Sequence, residues 1–232
     1  MITVPATTHI ASVTPSEVER YGRYLTSIIP QNADEEFRRW LFAYASVHTT
    51  WRVNCKLYRK LKDMTWLHNS QALQQCIVEA GAGMHNKRTV YISSFADFFY
   101  KHPMWFQKSL HEDWSEYRNR LMEVTPGIGQ AKASFWVEMR YPLESQVICV
   151  DTHILQLYGF SPTMIQKHHV RKREMDEIEQ HWAKTCVDHK IPPVVARWVY
   201  WDKKQNQTDS RYWSYVFEEN YHERFSKFIG EG

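Results

Sequence analysis

Apolar positions recur along this chain every three or four residues, the period of helices buried on one face. Phe37, Trp40, Leu41 and Tyr44 make one such stripe. It follows Asn32-Ala33-Asp34-Glu35-Glu36, where a capping Asn and a run of carboxylates suit the positive end of a helix dipole. Val53, Leu57 and Leu61 mark another helix, and Gln71–Glu79 a short one closed by Gly81-Ala82-Gly83. From Arg88 to Tyr100, Val90, Ile92, Phe95 and one of Phe98 or Phe99 are expected to face inward. Ser16 and Glu19 read as a capping box at a helix beginning near Pro15. That leaves residues 1–15 as a loose arm and 16–232 as the folded domain. Trp114–Val124 and Ala131–Arg140 form a helical pair joined by Thr125-Pro126-Gly127-Ile128-Gly129. Val147-Ile148-Cys149-Val150 is a short strand-like run, which Asp151 ends as it opens a helix over 152–158. A charged helix over Lys167–Lys190 follows, then the breaker Pro192-Pro193 and aromatic-rich helices over Val194–Trp201 and Arg211–Phe228. The pattern predicts an all-α fold of about ten helices with no sheet.

Composition agrees with that reading. Only 8 Gly and 9 Pro are present, too few for the turns of a many-stranded fold. The 10 Trp, 13 Tyr and 11 Phe exclude the signature of disorder and leave open whether every ring is core. A net charge of +3 and a pI near 8.6 are only weakly basic. The 4 Cys lack the spacing of a zinc site or an iron–sulfur cluster, so no metal and no cofactor is expected. No apolar run is long enough to span a membrane, and residues 1–16 lack the pattern of a signal peptide. A cytoplasmic monomer is therefore expected.

The most informative stretch is Thr125-Pro126-Gly127-Ile128-Gly129-Gln130-Ala131-Lys132. Two glycines in a tight turn before a helix present backbone N–H groups that suit a phosphate. Val150-Asp151-Thr152-His153 follows about twenty residues later and puts a carboxylate at a helix start. This pair resembles the helix-hairpin-helix DNA glycosylase superfamily. Leu41–Thr50 and Gly83-Met84-His85-Asn86-Lys87-Arg88 match further family stretches in the same order, so the similarity covers residues 35–160. The resemblance implies a two-lobed helical bundle with its hairpin at 114–140 and its catalytic cleft between the lobes. The hairpin would grip double-stranded DNA, and Asp151 would act on a flipped-out base.

Departures from the family refine this expectation. The position of the lysine nucleophile in bifunctional members is Ala131 here, and Lys132 lies about 100° further round the helix. Schiff-base lyase chemistry is therefore not expected. The stretch from Ala196 to Gln205, with Asp209–Tyr215, Ser46–Trp51 and His85–Thr89, looks like a bacteriophage branch of amino acid:DNA transferases and glutamyl/putrescinyl-thymine pyrophosphorylases. That resemblance implies transfer of a free amino acid onto phosphorylated or pyrophosphorylated 5-hydroxymethyluracil in DNA, with loss of phosphate or pyrophosphate.

Such chemistry needs a base, for which Asp151, His48 and His153 are candidates. It needs cations and N–H groups for DNA and the leaving phosphate, for which Gly127, Gly129, Lys132, His85, Asn86, Lys87 and Arg88 are candidates. It needs a carboxylate clamp, left open among Arg52, Arg88, Arg197 and Arg211. Trp51, Trp201, Asp202, Gln205 and Arg211 are the candidate pocket residues. The alternative is a monofunctional DNA glycosylase, in which Asp151 stabilises a developing sugar cation and the surplus cations are DNA contacts.

Overall fold

The computed structural model describes residues 2–166 and 170–204, and every regular element among them is a helix. In chain order these are α1 (Val4–Ser12), α2 (Pro15–Ser27), α3 (Ala33–Ala45), α4 (Trp51–Leu61), α5 (Ser70–Glu79) and α6 (His85–Lys101). A 3-10 turn, Pro103–Phe106, precedes α7 (Trp114–Val124), α8 (Gln130–Arg140), α9 (Thr152–Leu157), α10 (Pro162–Gln166), α11 (Lys172–Asp188) and α12 (Pro193–Lys204). They divide into two compact units: Pro30–Trp136, and the stretch up to Ile29 together with the described residues from Val137 onward.

The unit 30–136 is built around rings. Phe37 stacks on Phe95 at 5.6 Å, and Trp40 on Trp136 at 4.6 Å. Phe106 closes on Phe99 at 4.8 Å. α3 enters this core because Asn32 caps it, its Oδ1 accepting from the Glu35 N–H at 2.9 Å, and because its apolar stripe has helical spacing. On α6, Phe99 rather than Phe98 is buried, and Val90 points outward at 62% exposure, against the inward expectation. Val90 lies next to the buried Thr89 and about 200° round the helix from Ile92, so it cannot share the Ile92–Phe95–Phe99 face.

The other unit corrects the reading of the N-terminus. Residues 4–12 are not a loose arm but α1, with Ala6 and Ile10 fully buried one turn apart. Between them His9 Nε2 donates to the Ala196 carbonyl at 2.9 Å, and its ring packs edge-on to Tyr200 at 5.0 Å. Tertiary packing overrides the weak helix propensity of two threonines, Thr7 and Thr8. α2 opens with a capping box formed by Thr14 and Glu17, not Ser16 and Glu19, because Pro15 takes the first helical position. The helix expected over 167–190 is resolved as α11 from Lys172. The predicted helix over 211–228 lies outside the described residues.

Val147–Val150 has no regular secondary structure and pairs with no strand among the described residues, and the Asp151 N–H donates to the Cys149 carbonyl at 2.8 Å in a tight turn at its end. Side chains supply its partners. Ile148 N–H donates to Glu179 Oε1 at 3.1 Å and Cys149 N–H to Glu138 Oε1 at 2.7 Å. Ser145 Oγ serves Val147 in both directions. Buried amides must be satisfied, and two buried glutamates do here what a neighbouring strand usually does.

Candidate functional site

Asp151 sits where the apolar run 147–150 meets α9. As N-cap it is held in an extended conformation, and its Oδ1 accepts from the N–H groups of His153 at 2.9 Å and Ile154 at 3.0 Å. Its Oδ2 accepts from Arg197 Nη2 at 3.3 Å. The Asp151 side chain keeps 19% of its surface exposed, whereas Arg197 on α12 keeps 4%. Behind Arg197 lies Glu138 of α8, fully buried, with Oε2 at 3.4 Å from Arg197 Nη1 and accepting from Trp198 Nε1 at 3.3 Å.

Two carboxylates thus share one guanidinium. When both are ionised the three side chains carry one net negative charge, and Asp151 is the more exposed of the two carboxylates. Burial pushes the Glu138 carboxyl up to about 7, against the pull of Arg197 and the Cys149 amide, and the Asp151 charge adds to the rise. Arg197 is held above its usual range: burial works against its charge, but Glu138 and Asp151 outweigh that cost.

Other expected residues of this unit fall around α9 and α12. His153 is half-buried and meets the half-buried Trp201 edge-on at 6.4 Å. Asp202 does not open toward a ligand: it is buried and accepts from Tyr21 Oη at 2.5 Å, tying α12 to α2. Arg197 is likewise committed internally, which removes it as a clamp for a free carboxylate. Gln205 and Arg211 lie outside the described residues.

The unit 30–136 carries the remaining candidates. In the hairpin, Gly127 has φ +81°, and a Cβ there would lie 2.3 Å from the Tyr91 ring, so both conformation and space demand glycine. Gly129 is different, since a Cβ on it would meet nothing within 4 Å. The fold itself sets no demand for that glycine. The hairpin helices are locked by Arg118, buried at 1% exposure, which donates to Ser134 Oγ at 3.1 Å. Lys132 is half-buried with its Nζ over the Phe135 ring at 5.7 Å.

His85, Asn86 and Lys87 are exposed in the first turn of α6, after Met84 in the left-handed region at φ 58°. Asn86 accepts from Gln74 Nε2 at 2.6 Å. That turn carries cations and no acidic residue, the inverse of the usual bias, so dipole and side chains both favour an anion. Arg88 must be taken out of this group. It is 5% exposed and donates to the carbonyls of Tyr44, Val47 (2.8 Å) and Gly83, which caps the C-terminal end of α3. His48 is exposed at φ 49° in the loop after α3. Trp51 at the start of α4 is 37% exposed and packs edge-on to Phe42 at 6.0 Å. Arg52 beside it is exposed.

Sequence reasoning missed Glu138, Glu179 and Arg118. For Glu138 a signal existed: a lone carboxylate inside the apolar run Phe135-Trp136-Val137-Glu138-Met139. Glu179 lies in a densely charged helix, where nothing sets it apart.

Among the described residues no cluster of His, Cys, Asp and Glu has the geometry of a metal site, and no helix is long and apolar enough to cross a membrane. No protein-family model matches the chain, and no curated protein sequence matches it. Two solved structures do match in fold. One is the 8-oxoguanine glycosylase/lyase of Methanocaldococcus jannaschii in complex with a 15mer DNA containing 8-oxoguanine. It is 16% identical, with a TM-score of 0.63 over 83% of this chain and 89% of that one. The other is the 8-oxoguanine DNA glycosylase of the same organism, 16% identical, with a TM-score of 0.66 over 87% and 94%. The all-helical architecture of this chain is that of the helical DNA glycosylase fold.

Proposed function

We propose that this chain is a DNA base-processing enzyme whose chemistry centres on Asp151. The observation that carries this reading is the carboxylate itself: fixed at both oxygens, backed by a buried guanidinium, and open on one side. A fixed anion of this kind attracts a cation that develops or arrives beside it. A lysine nucleophile is not part of the reading, because Ala131 stands at that position and Lys132 rests over Phe135.

The finer reading is amino acid transfer onto phosphorylated or pyrophosphorylated 5-hydroxymethyluracil in double-stranded DNA. It rests on the resemblance of the sequence at residues 46–51, 85–89, 196–205 and 209–215 to the phage transferase branch. The cation at Asp151 is then the incoming ammonium, which gives a proton to the carboxylate so that its nitrogen can bond to the 5-methylene carbon as the carbon–oxygen bond to phosphate or pyrophosphate breaks. Within the unit 30–136, His85, Lys87 and the first amides of α6 suit a phosphate. With Arg88 and Arg197 committed elsewhere, Arg52 is the remaining described candidate for the carboxylate clamp.

A second reading, a monofunctional glycosylase, is favoured by the glycosylase activity named for both structural neighbours, one of them a glycosylase/lyase, together with Ala131 at the position of the lyase lysine. There the cation at Asp151 is the developing sugar. One experiment separates the readings. Duplex DNA bearing phosphorylated 5-hydroxymethyluracil is incubated with the protein and mixed amino acids, then digested and analysed by mass spectrometry. An amino-acid adduct on the base is the expected product. Free base and an abasic site would give the glycosylase instead. In either case Asp151→Asn is expected to abolish turnover while binding to duplex DNA persists.

A further inference from the structure

We propose that Arg197 is the positioning residue of this site, holding Asp151 while the buried Glu138 keeps the guanidinium from neutralising it. The proposal rests on the reading of Asp151 as the reactive anion.

The geometry supports it at three points. First, Asp151 is gripped from two directions, by the amides of its own helix at Oδ1 and by α12 at Oδ2. With three donors on two oxygens, the side chain cannot swing without breaking charge-assisted bonds. Second, the guanidinium spans two carboxylates, Nη1 toward Glu138 and Nη2 toward Asp151. An ammonium has neither that reach nor that planar fork. Third, exposure is graded along the chain of charges: Glu138 has none, Arg197 has 4% and Asp151 has 19%. Above about pH 7, where Glu138 is ionised, one Arg against two carboxylates leaves one negative charge, and the graded burial delivers it to the end that a substrate reaches. An Asp–Arg pair alone would present a neutral face. Glu138 is therefore what makes a firmly held Asp151 compatible with a charged one.

The test uses the full chain and two probes. One is duplex DNA containing a cationic pyrrolidine in place of one sugar. The other is the same duplex with a neutral tetrahydrofuran abasic site. The cationic ring stands in for whichever cation the reaction brings to Asp151, and the ratio of the two affinities reads the charge and placement of that carboxylate. Wild type is expected to favour the cationic duplex by about tenfold or more, the size of one charge-assisted contact. Asp151→Asn should bring the ratio to one. Arg197→Lys, which keeps the charge and loses the fork, should reduce the ratio severalfold with unchanged affinity for the neutral duplex. Glu138→Leu combined with Arg197→Met removes both buried charges together and guards against misfolding. It should reduce the ratio in the same way, with circular dichroism as for wild type. A full wild-type ratio in both Arg197 variants, with Asp151→Asn at one, would overturn the role of Arg197 and leave Asp151 standing. A wild-type ratio of one would instead bring down the Asp151 reading and this proposal with it.

Discussion

Both units of this molecule bury rings and charged groups, but they weight them differently. In 30–136 the core is rings on rings: Phe37, Trp40, Phe95, Phe99, Phe106 and Trp136. In the other unit the interior holds charge: Glu138 and Arg197 in mutual contact, Glu179 on a backbone amide and Asp202 under Tyr21. A ring core stabilises through area and shape, with no requirement for exact partners. An ionic interior is costly to form and intolerant of losing one member, because the survivor is left buried without compensation. The difference teaches where to look for chemistry. Aromatic packing builds a scaffold, whereas a buried ion network that ends on a partly exposed carboxylate builds a site.

The contrast is open to direct attack. The largest effect is expected from Arg197→Met, which strands Glu138 and should cost about 3–5 kcal/mol of stability in denaturant titrations. Adding Glu138→Leu to it should recover most of that loss, which an interior held together by net ion-pair attraction would not allow. In the ring core, Phe95→Ala should cost about 3 kcal/mol or more, because it leaves a cavity among Phe37, Trp40, Phe99 and Phe106. No second change of charge should rescue it. Gly127→Ala should cost about 1–3 kcal/mol, from the left-handed backbone and the Tyr91 ring, and should weaken duplex binding in proportion to the hairpin's distortion.

The subtlest difference is in pH dependence. Glu138 has its pKa raised by burial from 4.5 to about 7 in the folded protein. Its contribution to stability is therefore full below about pH 4.5 and is lost as the pH rises through about 7. His9, whose pKa burial lowers from 6.5, acts in the opposite sense, losing stability as the pH falls below that value. His9 is common to wild type and to the Glu138→Leu, Arg197→Met double variant, so their stability difference isolates Glu138. That difference should move against wild type as the pH rises from about 4.5 to 7. A flat difference would show that Glu138 is ionised throughout.

The ring core was legible because helical spacing of large apolar residues encodes it directly, as along Phe37, Trp40, Leu41 and Tyr44. The hairpin and the Asp151 helix start were legible because tight turns and caps are local chemistry. The ionic interior was not. Pairing Glu138 with Arg197 spans 59 positions of sequence, and nothing near either residue names the other. The same blindness misplaced Arg88. It follows the exposed Lys87 directly, but one residue is about 100° of helix, enough to turn it from solvent onto the end of α3. α1 was missed for a related reason, since its helix is fixed by burial of Ala6 and Ile10 and not by its threonines.

The apolar run at 147–150 has a consequence for the protein's behaviour in a crowded solution. An apolar β-branched segment with open amides is a template on which a second chain can add a strand. Here the amides of Ile148 and Cys149 are already occupied by Glu179 and Glu138, and all four residues of the run are buried. A glutamate side chain ends a ladder where a backbone would extend it. The two carboxylates thus act as stoppers against intermolecular sheet growth, and loss of either would leave a backbone amide of this run without its partner.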